Sequence, residues 1–251
     1  MSITTILNCY RRPQNLEAQV KAIRAQSTPS DEIWLWCNYH QDQDNFDATT
    51  LGLDKIIWSS HNHKFHGRFT MGLLAKTDYL AYFDDDTIPG HNWYTNCYNS
   101  ISIAMANNIE NPILGSAGVV LHSRQYENHT RVGWPSKNEQ LCKADLVGHA
   151  WFFNRQVLNA LWAYSPISLD NGEDIQLSFF AQKMYGTSTL VPPHPANDIS
   201  LWGSVKGMEL GVDNVAMSNG KVIPHSQFFK ERDYVVGKCV DAGWKTIVGV
   251  K

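Results

Sequence analysis

The sequence predicts an α/β fold with a doubly wound, mainly parallel central sheet. Three observations lead there. Short apolar runs alternate with stretches of helical periodicity over roughly the first 107 residues. One of those runs, Tyr79-Leu80-Ala81-Tyr82-Phe83, ends in three successive aspartates, Asp84-Asp85-Asp86, and sheets of this kind bind ligands beyond the carboxyl ends of their strands. The chain has 251 residues, 43% of them hydrophobic and 18% charged, enough to bury a substantial core.

In chain order, residues 3–9 read as a short strand. Arg12-Pro13 then opens a helix that carries Leu16, Val20 and Ile23 on one face. Residues 33–37 form a second buried strand followed by a polar loop over 38–45, and residues 55–58 a third, before a histidine-rich stretch over 61–66. A helix over 68–74 leads to the strand that ends at the aspartates. Pro89-Gly90 closes a turn, and residues 92–107 follow as helix. Residues 113–121 form a strand interrupted by Gly115 and Gly118, and 123–140 a polar loop. Residues 145–153 then lead into a helix over 156–162. Ile175, Leu177, Phe179, Phe180 and Met184 repeat as in a helix over 173–184, capped near Asn171 or Asp170. Residues 187–226, with four prolines, are loop-rich, and a last helix covers about 227–242. No repeat or domain boundary emerges, so the expectation is one domain, residues 1–251, with a nucleotide-binding half over about 1–90 and an acceptor half over about 91–251.

Charge and cysteine usage exclude other classes. The formal net charge is -3 and no Lys/Arg block occurs, which excludes a nucleic-acid partner. Five cysteines, Cys9, Cys37, Cys97, Cys142 and Cys239, are scattered without close pairs and are expected to be reduced and mostly buried. No segment reaches the roughly 18 apolar residues of a membrane span, and the N-terminus reads as a strand rather than a signal peptide. A cytoplasmic or otherwise soluble protein is expected. Oligomeric state is not readable.

Three adjacent carboxylates repel one another, so a positive charge is expected among them. Their oxygen ligands suit a hard divalent cation, Mn²⁺ or Mg²⁺, which would also hold two phosphates of a nucleotide. Asp84 and Asp86 share a side if strand geometry continues, so that one could meet a ribose and the other the metal. The alternative is a solvated turn with aspartate caps.

The motifs resemble, in order, those of the exostosin-like (family 64-like) glycosyltransferases, and more loosely the broader A-type (GT-A) nucleotide-sugar transferases. The resemblance begins at Asn8-Cys9-Tyr10-Arg11-Arg12, where the family carries a Tyr-Asn-Arg signature against the base and Arg11 takes the Asn place. It continues through Arg68, Phe83-Asp84-Asp85-Asp86, Leu146-Val147-Gly148-His149-Ala150-Trp151-Phe152-Phe153 and Asn171-Gly172-Glu173-Asp174-Ile175. Together these span residues 3 to about 242. The resemblance implies a GT-A-type, Rossmann-like nucleotide-diphospho-sugar transferase fold. It also implies metal-dependent transfer from a UDP-sugar to a glycan acceptor with retention of configuration, and a possible association with a glycan-assembly machinery. The rivals are an inverting family 2-like transferase and a non-catalytic nucleotide-sugar or glycan-binding protein. A nucleotidyltransferase would offer a glycine-rich phosphate loop, and residues 8–15 hold no glycine.

Within this frame Asp174 is the leading catalytic carboxylate and Glu173 the alternative, either deprotonating the acceptor or stabilising a cationic sugar. Both could instead only favour a helix N-terminus. Tyr10, Arg11, Arg68, Asp84, Asp85, Arg232 and Lys230 are assigned to the nucleotide. Asp86, Asp84 and a late histidine, His225 or the competing His194, are assigned to the metal. His61, His63 and His66 make a weak zinc site. Trp134, Trp151 and Trp202 are candidate sugar contacts, whereas Trp34, Trp36 and Trp58 are expected in the core.

Overall fold

A computed structural model describes residues 1–40, 46–211 and 224–251. The first half alternates β1 (Ile3–Cys9), α1 (Leu16–Arg24), β2 (Glu32–Cys37), β3 (Lys55–Trp58), α2 (Gly67–Gly72), β4 (Tyr79–Phe83) and α3 (Trp93–Ala106). The second contains β5 (Ile113–Leu121), β6 (His129–Gly133), β7 (Cys142–Ala144), β8 (Leu146–Asn154), α4 (Leu158–Ala163), α5 (Glu173–Tyr185), β9 (Thr189–Val191), α6 (Gly207–Leu210) and α7 (His225–Asp241).

Among the described residues one sheet runs β3-β2-β1-β4-β8-β5-β9-β7, with β6 paired to β5. The strands β3, β2, β1 and β4 are parallel, while β8 is antiparallel to both β4 and β5. The sheet is therefore mixed, not mainly parallel. The expected crossover order holds only through β4. From there β8 inserts as an antiparallel strand, with Phe83 opposite Ala150, and that register decides what faces the aspartates.

Strand alternation splits the core between the two faces. Ile6, Tyr82, Trp151 and Phe153 join a cluster with side chains of α2, α4, α5 and α7. Leu7, Phe83, Ala150 and Phe152 join another with side chains of α1 and α3. Leu16, Val20 and Ile23 are all buried, as their spacing predicts, at about 1.5–3 kcal/mol each. Gly115 sits at a register shift between β5 and β8, where an added Cβ would lie 2.4 Å from that of Val147.

Other expectations are corrected. The polar loop over 123–140 contains β6. The α5 helix is entered through Gly172 in the left-handed region, φ 80°, and neither Asn171 nor Asp170 caps it. Trp34 and Trp36 are buried, but Trp58, on edge strand β3, is 44% exposed. The loop-rich stretch over 187–226 holds β9, a 3₁₀ turn at Ile199–Leu201 and α6, and its residues 212–223, like 41–45 of the earlier polar loop, lie outside the described residues. All five cysteines are free; four are buried and Cys142 is half-buried. No described helix is long and apolar enough to cross a membrane.

Candidate functional site

The carboxyl ends of β1, β2 and β4, the middle of β8 and the start of α5 open onto one cavity of about 430 Å³. Asp84 leaves β4 directly into it, and its backbone N–H still donates to the His149 carbonyl at 3.0 Å. The antiparallel register thus sets His149 across from Asp84. His149 has φ 64°, strained for a residue with a Cβ, and its ring lies 4.3 Å from that of Trp134. Its Nδ1 is buried without a hydrogen-bond partner, 4.0 Å from Asp84 Oδ2. One ligand atom from each of Asp84, Asp86 and His149 lies within 4.8 Å of the others. Two carboxylates, an imidazole with an unpartnered ring nitrogen and mutual proximity fit a divalent cation.

Burial and mutual repulsion govern this cluster. Burial pushes Asp85 up to about 7 even though Arg12 Nη1 donates to its Oδ1 at 2.7 Å. Asp86 is raised by burial and then by the Asp84 charge, and it shares Arg12 at 3.1 Å. The turn is pinned from below by Gln19, whose Nε2 donates to the carbonyls of Asp84 and Thr87 at 2.7 and 2.8 Å, and by Asn15, which donates to that of Asp85 at 2.8 Å.

Arg68, on α2, ties this cluster to α5. Its guanidinium is buried over the Trp151 ring, at 4.6 Å, and bridges Asp84 and Glu173, reaching Glu173 Oε1 at 3.2 Å. The other oxygen, Oε2, is buried without a partner, and burial followed by the neighbouring Asp174 charge raises Glu173 to about 7. Asp174 is engaged at both oxygens: Oδ1 accepts from the Ile175 N–H at 2.9 Å and Oδ2 from Arg232 Nη2 at 2.7 Å. Arg232 also donates to Asn171 Oδ1 at 3.0 Å and lies 4.0 Å over the Tyr126 ring.

Of the residues singled out in the sequence, Tyr10, Arg68, Asp84, Asp85, Asp86, Glu173, Asp174 and Arg232 line this cavity. Arg11 does not; it takes φ 71°, and the next residue, Arg12, enters instead. Lys230 is exposed on α7, outside the lining. His225 is exposed too, 4.3 Å from the Phe229 ring and 3.9 Å from Glu127, away from the ligand group. His194 is fully buried with both ring nitrogens in use, toward the Pro192 carbonyl at 2.8 Å and from the Gly203 N–H at 3.2 Å, and burial lowers it to about 4. Among the described residues the histidine beside Asp84 and Asp86 is His149. Of the histidines over 61–66, His66 is buried against Trp162 while His61 and His63 are exposed. Trp134 and Trp151 line the cavity; Trp202 lies outside it, bonded to the Pro195 carbonyl. Arg12 and His149 carried no distinctive signal: one adjoins a similar arginine, and the other depends on a strand pairing the sequence pattern does not disclose.

Fold and cavity together define an α/β protein of broadly Rossmann-like architecture with a cavity at the strand ends. Among solved structures, the chain is similar to S. aureus TarS. It matches TarS 1-349 with a TM-score of 0.53 and 14% identity over 78% of this chain and 59% of that one. The match to TarS 1-349 in complex with UDP-GlcNAc has a TM-score of 0.55 and 13% identity over 78% and 57%. A further TarS structure gives 0.54 and 13% over 78% and 36%. The likeness is one of fold, and the chain spans less than two thirds of each of these structures. No protein-family model matches the sequence, and neither does any curated protein.

Proposed function

We propose that the protein is a metal-dependent glycosyltransferase that moves a sugar from a nucleotide-diphosphate donor, a UDP-sugar, to a glycan acceptor. The observation that carries this reading is the juxtaposition, in one cavity, of a three-residue cation cluster at a strand end and a buried carboxylate pair at a helix start. The fold shared with a protein crystallised with UDP-GlcNAc supports it. The whole chain acts as one catalytic unit, the nucleotide held by the half before about residue 90.

Asp84, Asp86 and His149 would hold Mn²⁺ or Mg²⁺, which when bound stabilises charge on the departing diphosphate. Tyr10 and its partner Asn62, joined at 3.1 Å beyond β1, face the nucleoside. Arg12 and Arg68, buried among the carboxylates, set the charge balance that lets a phosphate approach. In the transfer, a bond forms between the acceptor oxygen and the anomeric carbon as the bond to the diphosphate oxygen breaks. The electron pair leaves with the diphosphate, and the acceptor proton passes to a carboxylate. Glu173 suits that last role better than Asp174, because Oε2 is unpartnered and burial holds the group near neutrality, whereas both Asp174 oxygens are engaged. Asp174, fixed by Arg232, orients the acceptor. A dedicated proton acceptor favours the inverting rather than the retaining reaction.

Calorimetry of UDP with and without Mn²⁺, on native protein and on Asp86→Asn, tests the proposal. Binding that needs the metal and is lost in the variant is expected. No binding of UDP or GDP under either condition would overturn it.

A further inference from the structure

The cavity has two chemically different ends, ordered by the sheet. At the β1 and β2 side, Tyr10, Asn38 and Asn62 form a hydrogen-bonded polar wall, with Asn38 Nδ2 donating to Asn62 Oδ1 at 2.7 Å. Across β4, on the β8, β5 and α7 side, the lining turns aromatic and apolar: Tyr126, Trp134, Leu146, Met208, Phe228 and Phe229. Tyr126, Phe229 and Phe228 form one surface, Tyr126 to Phe229 at 6.0 Å and Phe228 to Phe229 at 5.4 Å, Arg232 on the Tyr126 face connects it to Asp174, and Trp134 packs on His149 at 4.3 Å. Gly148 also lines the cavity, and among the described residues an added Cβ there would meet only Trp151, at 4.0 Å. The described residues leave the space in front of that glycine open.

We propose that this aromatic end is the acceptor subsite and that its occupant is a neutral pyranoside, with a C–H face packed against Trp134 and Phe228 and a hydroxyl directed at Glu173. The inference rests on the transferase reading above and names its second substrate. A pyranoside has flat apolar faces edged by hydroxyls, which matches rings edged by Asn171, Glu173 and Asp174. An acyl or polyprenyl chain would need a continuous apolar channel, and this one is interrupted by Arg131 and Arg232. An anionic acceptor would approach the Glu173–Asp174 pair against like charge. The cations near that pair are already engaged, Arg68 by Asp84 and Glu173, and Arg232 by Asp174. Of the other described cations that line the cavity, Arg12 is held by Asp85 and Asp86 and Lys64 by Asp170, and Arg131 is exposed at the rim with its Nε toward His129.

The test is saturation-transfer NMR on the native protein with UDP and Mn²⁺ present. The probes are methyl β-glucopyranoside, methyl β-galactopyranoside, glycerol 3-phosphate and a short-chain polyprenyl phosphate. UDP affinity is measured in parallel by calorimetry. Saturation of the C–H protons on one face of a neutral glycoside is expected. Phe228→Ala should weaken that binding roughly three- to tenfold, the worth of one aromatic contact, with UDP affinity unchanged within about twofold. Gly148→Ala, which meets no clash, should also weaken glycoside binding, so the test survives if Phe228→Ala misfolds. UDP binding without any glycoside binding would overturn the acceptor assignment alone, as would anionic or lipid probes binding where the glycosides do not. Failure of UDP itself to bind would overturn the transferase reading and this one with it.

Discussion

Glu173→Gln should make the protein both less active and, above neutral pH, more stable. Glu173 is raised from 4.5 to about 7 in the folded chain, first by burial and then by the Asp174 charge. A carboxylate whose folded pKa lies above its unfolded value binds a proton more tightly when folded, so stability falls as pH rises from about 4.5 and levels off past about 7. At 1.36 kcal/mol per unit the full effect is about 3 kcal/mol of destabilisation at pH 8. Glutamine has the shape of the neutral acid and can still accept from Arg68, so it removes this slope. The variant and native curves should coincide near pH 4.5 and diverge to about 3 kcal/mol at pH 8. Unfolding entropy scales with chain length, here 251 residues, so that gap corresponds to a Tm difference of about 6 °C. The assay is thermal and urea unfolding at pH 5, 6, 7 and 8 in chelator, alongside turnover of a UDP-sugar, which should drop by about 10²- to 10⁴-fold. A stability difference that does not change with pH would refute the raised pKa. Undiminished turnover would refute the role as base.

Other perturbations separate structure from chemistry. Arg232→Met removes one partner of a buried pair and leaves Asp174 uncompensated, so it should cost about 3–5 kcal/mol, and Asp174→Asn in the same chain should restore part of that in a double-mutant cycle read by urea unfolding. His149→Gln should weaken Mn²⁺ binding by at least about tenfold, read by calorimetry, while His225→Gln, on the exposed helix end, should leave it unchanged.

The first half of the fold was legible because its units are local. Apolar runs of four to seven residues separated by helices or a polar loop place β1 to β4 without long-range information, and the aspartates at the end of β4 mark the candidate site. The second half was legible only as elements. Whether 113–121 and 145–153 run parallel or antiparallel depends on pairings between distant segments, and nothing in their composition encodes the insertion of β8 beside β4. That one pairing decides which histidine lies beside Asp84 and Asp86. The sequence pointed toward the end of the chain, to His225 or His194, but the partner of Asp84 is fixed by the register that puts Ala150 opposite Phe83. Arg11 and Arg12 were confused for a smaller reason: a left-handed φ at Arg11 reverses which of the two enters the cavity. The glycine entry into α5 follows the same logic, since Asn171, the expected cap, is drawn to Arg232 instead.

Three buried arginines account for the desolvated carboxylates at the site: Arg12 pairs with Asp85 and Asp86, and the other two reach α5. Arg68 joins Asp84 to Glu173, and Arg232 joins Asp174 to Asn171, so each ties a separate chain segment to the opening turn of α5. Buried ion pairs of this kind add little net stability over apolar residues of equal size. Glu173 Oε2 and His149 Nδ1 remain unsatisfied besides, which costs more. A fold selected for stability alone would have filled α2, α5 and α7 at these positions with leucine or methionine. What the arrangement gains is fixed geometry: Arg68 sets the distance between the cation cluster and the carboxylate that would take the acceptor proton, across two elements that share no other polar link between those groups among the described residues. Positioning of that sort is what a group transfer between two bound substrates requires. On the proposed transferase reading, the strain at His149, the raised pKa at Glu173 and the double engagement of Asp174 answer to a single requirement.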